Sequence, residues 1–311
     1  NRTVEQIDDV PTLSIYNNVN ELVSQVPGGA MLVEGLLDEP ATVTIAGRPA
    51  VVTPDTRFRG VAPVTSGTNQ ITVTARDAAG NARTNVYQVD VSGASKSFTY
   101  DANGNLTSDG TRTFEWDARN QIAAITVGTH RTEFSYDGLQ RRVREVEKES
   151  GVVQRDTRVL WCDTAICEER NAAGVTVTRR AFKQGEQLSG AVRYFTKDHL
   201  GSVAEGTDSA GTLLTRYAFD PWGRRTVTTG ADVTAVGFTG HRTHAPSGLA
   251  LALHRGYDPE IGRWISDDPM GFPAGANFQA YVENSPISIF DPLAGRGESL
   301  HGLLAGRRER C

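Results

Sequence analysis

At 311 residues the chain has room for one large domain or two ordinary ones. Its 32 Lys+Arg against 37 Asp+Glu leave a net charge of −5, which argues against nucleic acid as the main partner, because neutralising phosphates needs a basic face. Three cysteines are too few for a disulfide scaffold, and no apolar run approaches the roughly 20 residues of a membrane span. No basic-then-apolar start marks a signal peptide, and the first residue is Asn1, so the expectation is a processed chain or a piece of a longer one.

Strand signals dominate: short runs rich in Val, Thr, Tyr and Phe are broken by Gly, Asn and Asp, which predicts an all-β protein. Residues 1–30 read as a partial strand or linker, with one or two helical turns expected over Asn18–Gln25. Residues 31–92 read as a small immunoglobulin-like sandwich. Within it, Ala41–Ile45 and Ala50–Thr53 are expected to form a hairpin about Ala46-Gly47-Arg48. Gln70–Ala75 and Asn85–Val91 alternate apolar and polar residues, as strands with one buried face do. Between them, Arg76 to Asn81 reads as a turn. The segment Gly67 to Ala82 resembles bacterial immunoglobulin-like modules of cell-surface proteins. The small residues Ser92-Gly93-Ala94-Ser95 suggest a linker and a domain boundary.

A repeat follows. Phe98-Thr99-Tyr100-Asp101, Phe114-Glu115-Trp116-Asp117, Phe134-Ser135-Tyr136-Asp137 and Tyr217-Ala218-Phe219-Asp220 share aromatic–x–aromatic–Asp ahead of a turn. Aromatics two apart project from one strand face, and the Asp can hold the turn through an Asx hydrogen bond. One such hairpin cannot bury its rings alone, so the expected object is an open sheet that grows by addition of hairpins.

Phe98 to Val143 resembles the tyrosine–aspartate repeats of bacterial rearrangement-hotspot (Rhs) proteins, relatives of teneurins. Asp198 to Val203, Tyr217 to Arg224, Gly240-His241, Tyr257 to Trp264, Asp268 to Gly271 and Asn284 to Pro292 resemble, in order, the core segment associated with those repeats. The resemblance divides the chain into repeats over 96–190, the core over 191–295 and a short tail over 296–311 that looks truncated or frame-shifted. It implies part of a β-shell that encloses a C-terminal toxin cargo, in a secreted or cell-surface protein served by a secretion apparatus or an immunity protein, with no cofactor and no metal.

The resemblance also implies an aspartyl-type self-cleavage, with Asp268 and Asp291 as the pair and Arg263 beside them. A 19-residue spacer, residues 272–290, separates Gly271 from Asp291. Two close carboxylates share a proton, so one serves as general base and the other as acid. The second motif is irregular: Ala294 stands where the family has Gly, and Arg296 and Gly297 follow where an apolar residue is expected.

Weaker patterns also occur. His241, His244 and His254 match no zinc spacing and read as turn and surface residues. Asp198, His199 and Ser202 are triad residue types but read as a turn. Cys162 and Cys167 are compatible with a hairpin disulfide or with two thiols. The aromatic plates could stack on carbohydrate, which makes a cell-surface adhesion or glycan-binding module a third reading beside encapsulation and self-cleavage; packing is the preferred role for the rings. Leu300, Leu303 and Leu304 have helical spacing in the tail.

Overall fold

The computed structural model describes residues 1–231, 234–269, 271 and 277–291, together with the backbone of 298–299. The protein is all-β, with two compact units, Asn1–Phe98 and Thr99–Cys311. The division falls after Phe98 rather than at Ser92–Ser95, because Lys96–Ser97 pairs with the long strand Leu22–Leu36 and the Phe98 N–H donates to the Val23 carbonyl at 3.0 Å.

The first unit is a sandwich. One sheet runs Val4–Ile7, Val10–Tyr16, Leu22–Leu36, Arg57–Thr65, Val51–Val52; the other runs Arg48–Pro49, Ala41–Ile45, Gly67–Asp77, Ala82–Val91. Met31, Val43, Ile45, Ala62, Val64, Ile71, Val73 and Val91 fill the space between them. Residues 1–30 are thus strands of this unit, not a linker. The helical turns expected over Asn18–Gln25 are absent: Asn17 Oδ1 accepts the Val19 and Glu21 N–H groups, closing a hairpin turn, and Leu22 starts a strand as a fully buried residue. The expected 41–53 hairpin is also incomplete. Ala41–Ile45 pairs with Arg48–Pro49 and accepts the Ala50 N–H at the Val43 carbonyl (2.9 Å), and Val51–Val52 then crosses to the other sheet to pair with Arg57–Thr65.

The second unit is a 14-stranded antiparallel meander in which every strand pairs with its sequence neighbours. It starts at Thr99–Tyr100 and ends at Arg225–Gly230, passing through Arg112–Trp116, Ile122–Val127, His130–Tyr136, Arg142–Glu149, Val152–Cys162 and Ala165–Arg170 on the way. The path does not close on itself among the described residues.

One turn recurs. At Asp101, Asp117, Asp137, Asp198, Asp208 and Asp220, Oδ1 accepts the N–H groups two and four residues on. The N–H three residues on returns to the Asp carbonyl at 3.0–3.2 Å. That third position needs positive φ, which Gly104, Gly201, Gly211 and Gly223 adopt freely and Asn120 and Gln140 adopt at some cost. This is a type I turn followed by a left-handed residue, a geometry that joins antiparallel strands. Asp117→Ala removes the carboxylate oxygen that accepts both backbone N–H groups at one such turn and should lower the unfolding free energy by about 1 kcal/mol in urea denaturation.

The rings do stack the hairpins. Phe114, Phe134 and Tyr217 are buried, and the second aromatics are half-buried. Trp116 Nε1 donates to the Leu106 carbonyl at 2.7 Å, Tyr136 Oη to Ile122 at 3.0 Å, and Trp161 Nε1 to Arg142 at 2.6 Å. Each acceptor lies five residues past the Asp of the preceding turn, so each ring ties its own repeat to the one before.

Candidate functional site

After the meander the chain forms a cap. Arg242–His244, Leu249–Leu251, Gly256–Asp258 and Arg263–Trp264 make a four-stranded antiparallel sheet. Its core is aromatic: Tyr257 lies 4.3 Å from Tyr281 and 5.6 Å from Trp264, and Phe238 lies 6.0 Å from both tyrosines, centroid to centroid. These offset and edge-on contacts add to the burial of large apolar surfaces.

The cap is bound to the wall through buried ions. Arg112, on the wall, pairs with Asp109 at 2.5 Å, with the fully buried Asp258 of the cap, and donates to the Ser247 carbonyl at 2.7 Å. Arg242, on the cap, reaches back between Glu145 (2.7 Å) and Glu169. Glu169 also pairs with Arg179, which continues to Glu186, which in turn meets Arg193. Opposite charges therefore alternate across neighbouring strands of the wall.

The pKa shifts follow from this arrangement. Burial drives Glu169 upward, but the attraction of Arg242 and Arg179 outweighs it and the carboxyl sits low. For Glu186 burial prevails and the carboxyl is raised. Asp109 is lowered, since Arg112 and the backbone donors of Arg112 and Thr111 outweigh its burial.

The histidines do not form a metal set, and no group of three potential ligands occurs among the described residues. Far from being surface residues, His241 and His244 are buried. His244 bonds Ser247 Oγ at 2.7 Å and Thr132 Oγ1 at 2.9 Å, against the edge of Phe134. Burial, with the nearby Arg242, pushes its pKa down to about 3; burial likewise lowers His241 to about 4. Asp198, His199 and Ser202 do not form a triad either. Asp198 holds its turn, Ser202 Oγ accepts the Thr239 N–H at 3.0 Å, and His199 Nε2 meets the Ile287 carbonyl at 3.1 Å. Cys162 and Cys167 are joined as a disulfide, with Cα atoms 5.6 Å apart.

Asp268 and Asp291 are both buried, and the side chain of Arg255 reaches both. Its Nη2 lies 2.7 Å from Asp268 Oδ2 and 3.4 Å from Asp291 Oδ2. Arg255 also stacks over Trp264 at 4.3 Å, and burial lowers its pKa to about 10. Arg263, the arginine singled out in the sequence, bonds Asn277 Oδ1 at 3.3 Å and Gln279 Oε1 at 3.4 Å. Arg255 carries no motif of its own, and it sits two residues ahead of the Tyr257–Trp264 segment. Gly271 closes the turn begun at Asp268, its N–H on the Asp268 carbonyl at 2.9 Å with φ +64. Among the described residues a Cβ there would meet nothing within 4 Å, so the backbone angle calls for glycine. Pro292 to Gly295 and the tail side chains, including Leu300, Leu303 and Leu304, lie outside the described residues.

The family model for the teneurin YD-shell matches residues 69–284, more than half of the chain. The chain belongs to the teneurin YD-shell family. A second family model, domain B of glucodextranase, matches residues 11–92 of the sandwich. Among curated relatives, the double-stranded DNA deaminase toxin A of Burkholderia cenocepacia is 27% identical over 64% of this YD-shell chain and 17% of its own length. The probable deoxyribonuclease RhsB of Dickeya dadantii is 31% identical over 62% of the chain and 14% of its own length. The match thus spans less than a fifth of either relative. Among solved structures, the TcdB2-TccC3-Cdc42 crystal structure aligns with TM-score 0.54 and 17% identity, covering 92% of this chain and 15% of that one. The Photorhabdus luminescens Tc holotoxin pore aligns with TM-score 0.53 and 18% identity over 91% of this chain and 15% of that one. At this identity the likeness speaks to fold alone.

Proposed function

We propose that this chain supplies wall and cap to a β-shell that encloses a toxin cargo, in a protein exported to the cell surface or beyond. The observation that carries the reading is the aromatic cap held to the 14-stranded meander by buried ion pairs. A meander whose edge strands are unpaired among the described residues extends by adding further hairpins, and a cap seated on one of its faces closes that side. The relatives named as toxins, deaminase and nuclease support a cargo of that class. The cargo itself, an immunity protein and a secretion apparatus are the partners this reading calls for. The test is limited proteolysis of the whole gene product, with fragments followed by mass. Survival of any region C-terminal to the cap until denaturant opens the shell supports enclosure; digestion of that region at the rate of a free chain contradicts it.

A second reading, self-cleavage, is favoured by the shared guanidinium of Arg255. Held on one guanidinium, one carboxylate takes the proton of an attacking water and the other gives a proton to the leaving amide nitrogen as the peptide C–N bond breaks. In this reading Asp268 and Asp291 do the chemistry and Arg255 holds them. Incubation of the purified protein should show a mass loss that Asp268→Asn and Asp291→Asn each abolish. An unchanged mass over days removes the reading while leaving enclosure intact.

A further inference from the structure

We propose that the cavity between wall and cap, floored by Arg142 and His241, binds a carboxylate carried on an apolar body. This goes beyond enclosure and does not depend on it. The cavity, about 530 Å³, lies where the strands Val152–Cys162 to Ala191–Lys197 face the cap. That volume suits a small organic ligand or one or two side chains.

Arg142 is almost wholly buried, and no carboxylate lies within ion-pair distance of it among the described residues. One arm donates to the Leu251 carbonyl at 3.2 Å, while Nε has no partner. Burial depresses its pKa, the expected response of a cation stripped of water. His241 is equally buried and leaves Nε2 unpartnered at the same floor. Among the described residues the Arg142 charge is answered only by the Tyr136 hydroxyl and, beyond ion-pair distance, by Glu145, and its Nε and the imidazole Nε2 beside it lack acceptors or donors, so an incoming anion is favoured there. The lining glutamates cannot supply it, because Glu169 and Glu186 are already held by Arg242, Arg179 and Arg193. At the rim, Lys183 and Lys197 are exposed and form no ion pair among the described residues, so the opening attracts anions. Trp161 and Phe195 give apolar walls, which favour a carboxylate on a hydrophobic body over inorganic phosphate.

Calorimetric titration of the purified chain tests this with 3-phenylpropionate, its uncharged amide, and a short peptide, Leu-Glu-Phe, with both ends blocked. At least one carboxylate should bind one-to-one and about tenfold more tightly than the amide. Arg142→Met should erase that preference. Because Met at a buried site can unsettle the fold, a Lys183→Gln/Lys197→Gln variant at the exposed rim serves as a second test and should weaken binding about threefold. Binding of the acid alone assigns the site to a free small molecule, and binding of the peptide to a protein segment. No binding, equal affinity for acid and amide, or full affinity in both variants overturns the proposal.

Discussion

Arg242→Ala is expected to lower the unfolding free energy of the YD-shell unit by roughly 3–5 kcal/mol. The reason is what the substitution leaves behind. Glu145 is 2% exposed, one of its oxygens already lacks a partner, and Arg242 holds the other. Without the guanidinium Glu145 becomes an unpaired buried anion, while Glu169 keeps Arg179. The double variant Arg242→Met/Glu145→Leu removes both charges and should recover a large part of the loss, because an apolar pair of similar volume carries no desolvation cost. Urea titration monitored by near-ultraviolet circular dichroism measures all three proteins. A single variant within about 1 kcal/mol of the parent would mean that Arg242 is not seated between the glutamates.

The second large effect is with pH. His244 and His241 titrate near pH 3 and 4 in the folded protein, against an ordinary value of 6.5. Between those limits the unfolded chain binds protons that the folded one refuses, so stability falls as pH drops below 6.5. Each histidine should cost about 2 kcal/mol between pH 6.5 and 5. The groups facing His244 are Arg242, His130, Arg142 and Arg155, all cationic or able to become so, and Arg142 faces His241. Asp109 and Glu169, held low in the fold, stabilise above their unfolded pKa and withdraw that support only at lower pH. Glu186, raised in the fold, acts in the opposite sense and partly offsets the loss. His244→Gln removes one titration, so thermal melts at pH 5 and 7.5 should differ by clearly less in the variant than in the parent. An equal difference would show that the imidazole is not buried.

The all-β class and the repeat were legible because they rest on local chemistry: alternation, paired rings and an Asp before a turn. The aromatic pair nevertheless marked only some of the hairpins. Asp198 and Asp208 make the same turn, and Asn17 and Asn171 supply an amide oxygen to theirs. An Asp or Asn three residues before a Gly was the better signal, seen at 77, 101, 171, 198, 208 and 220. That signal would also have placed Asn17, with Asn20 at φ +68 in the glycine's role, in a turn instead of a helix. The long-range part was not legible. Nothing near Arg255 says that it meets Asp268 and Asp291 rather than solvent, and nothing near Arg242 says that its partners lie 97 and 73 residues back. These pairings exist only once the cap has been laid on the wall.

The seating of the cap is therefore the claim to test most directly, by hydrogen–deuterium exchange resolved by mass spectrometry. If the cap is seated, amides of Leu249–Leu251, Gly256–Asp258 and Arg263–Trp264 should be protected to the same degree as those of Arg112–Trp116 and Arg142–Glu149, and should lose protection together with them in urea. Exchange of the cap amides within seconds while the wall stays protected would contradict it.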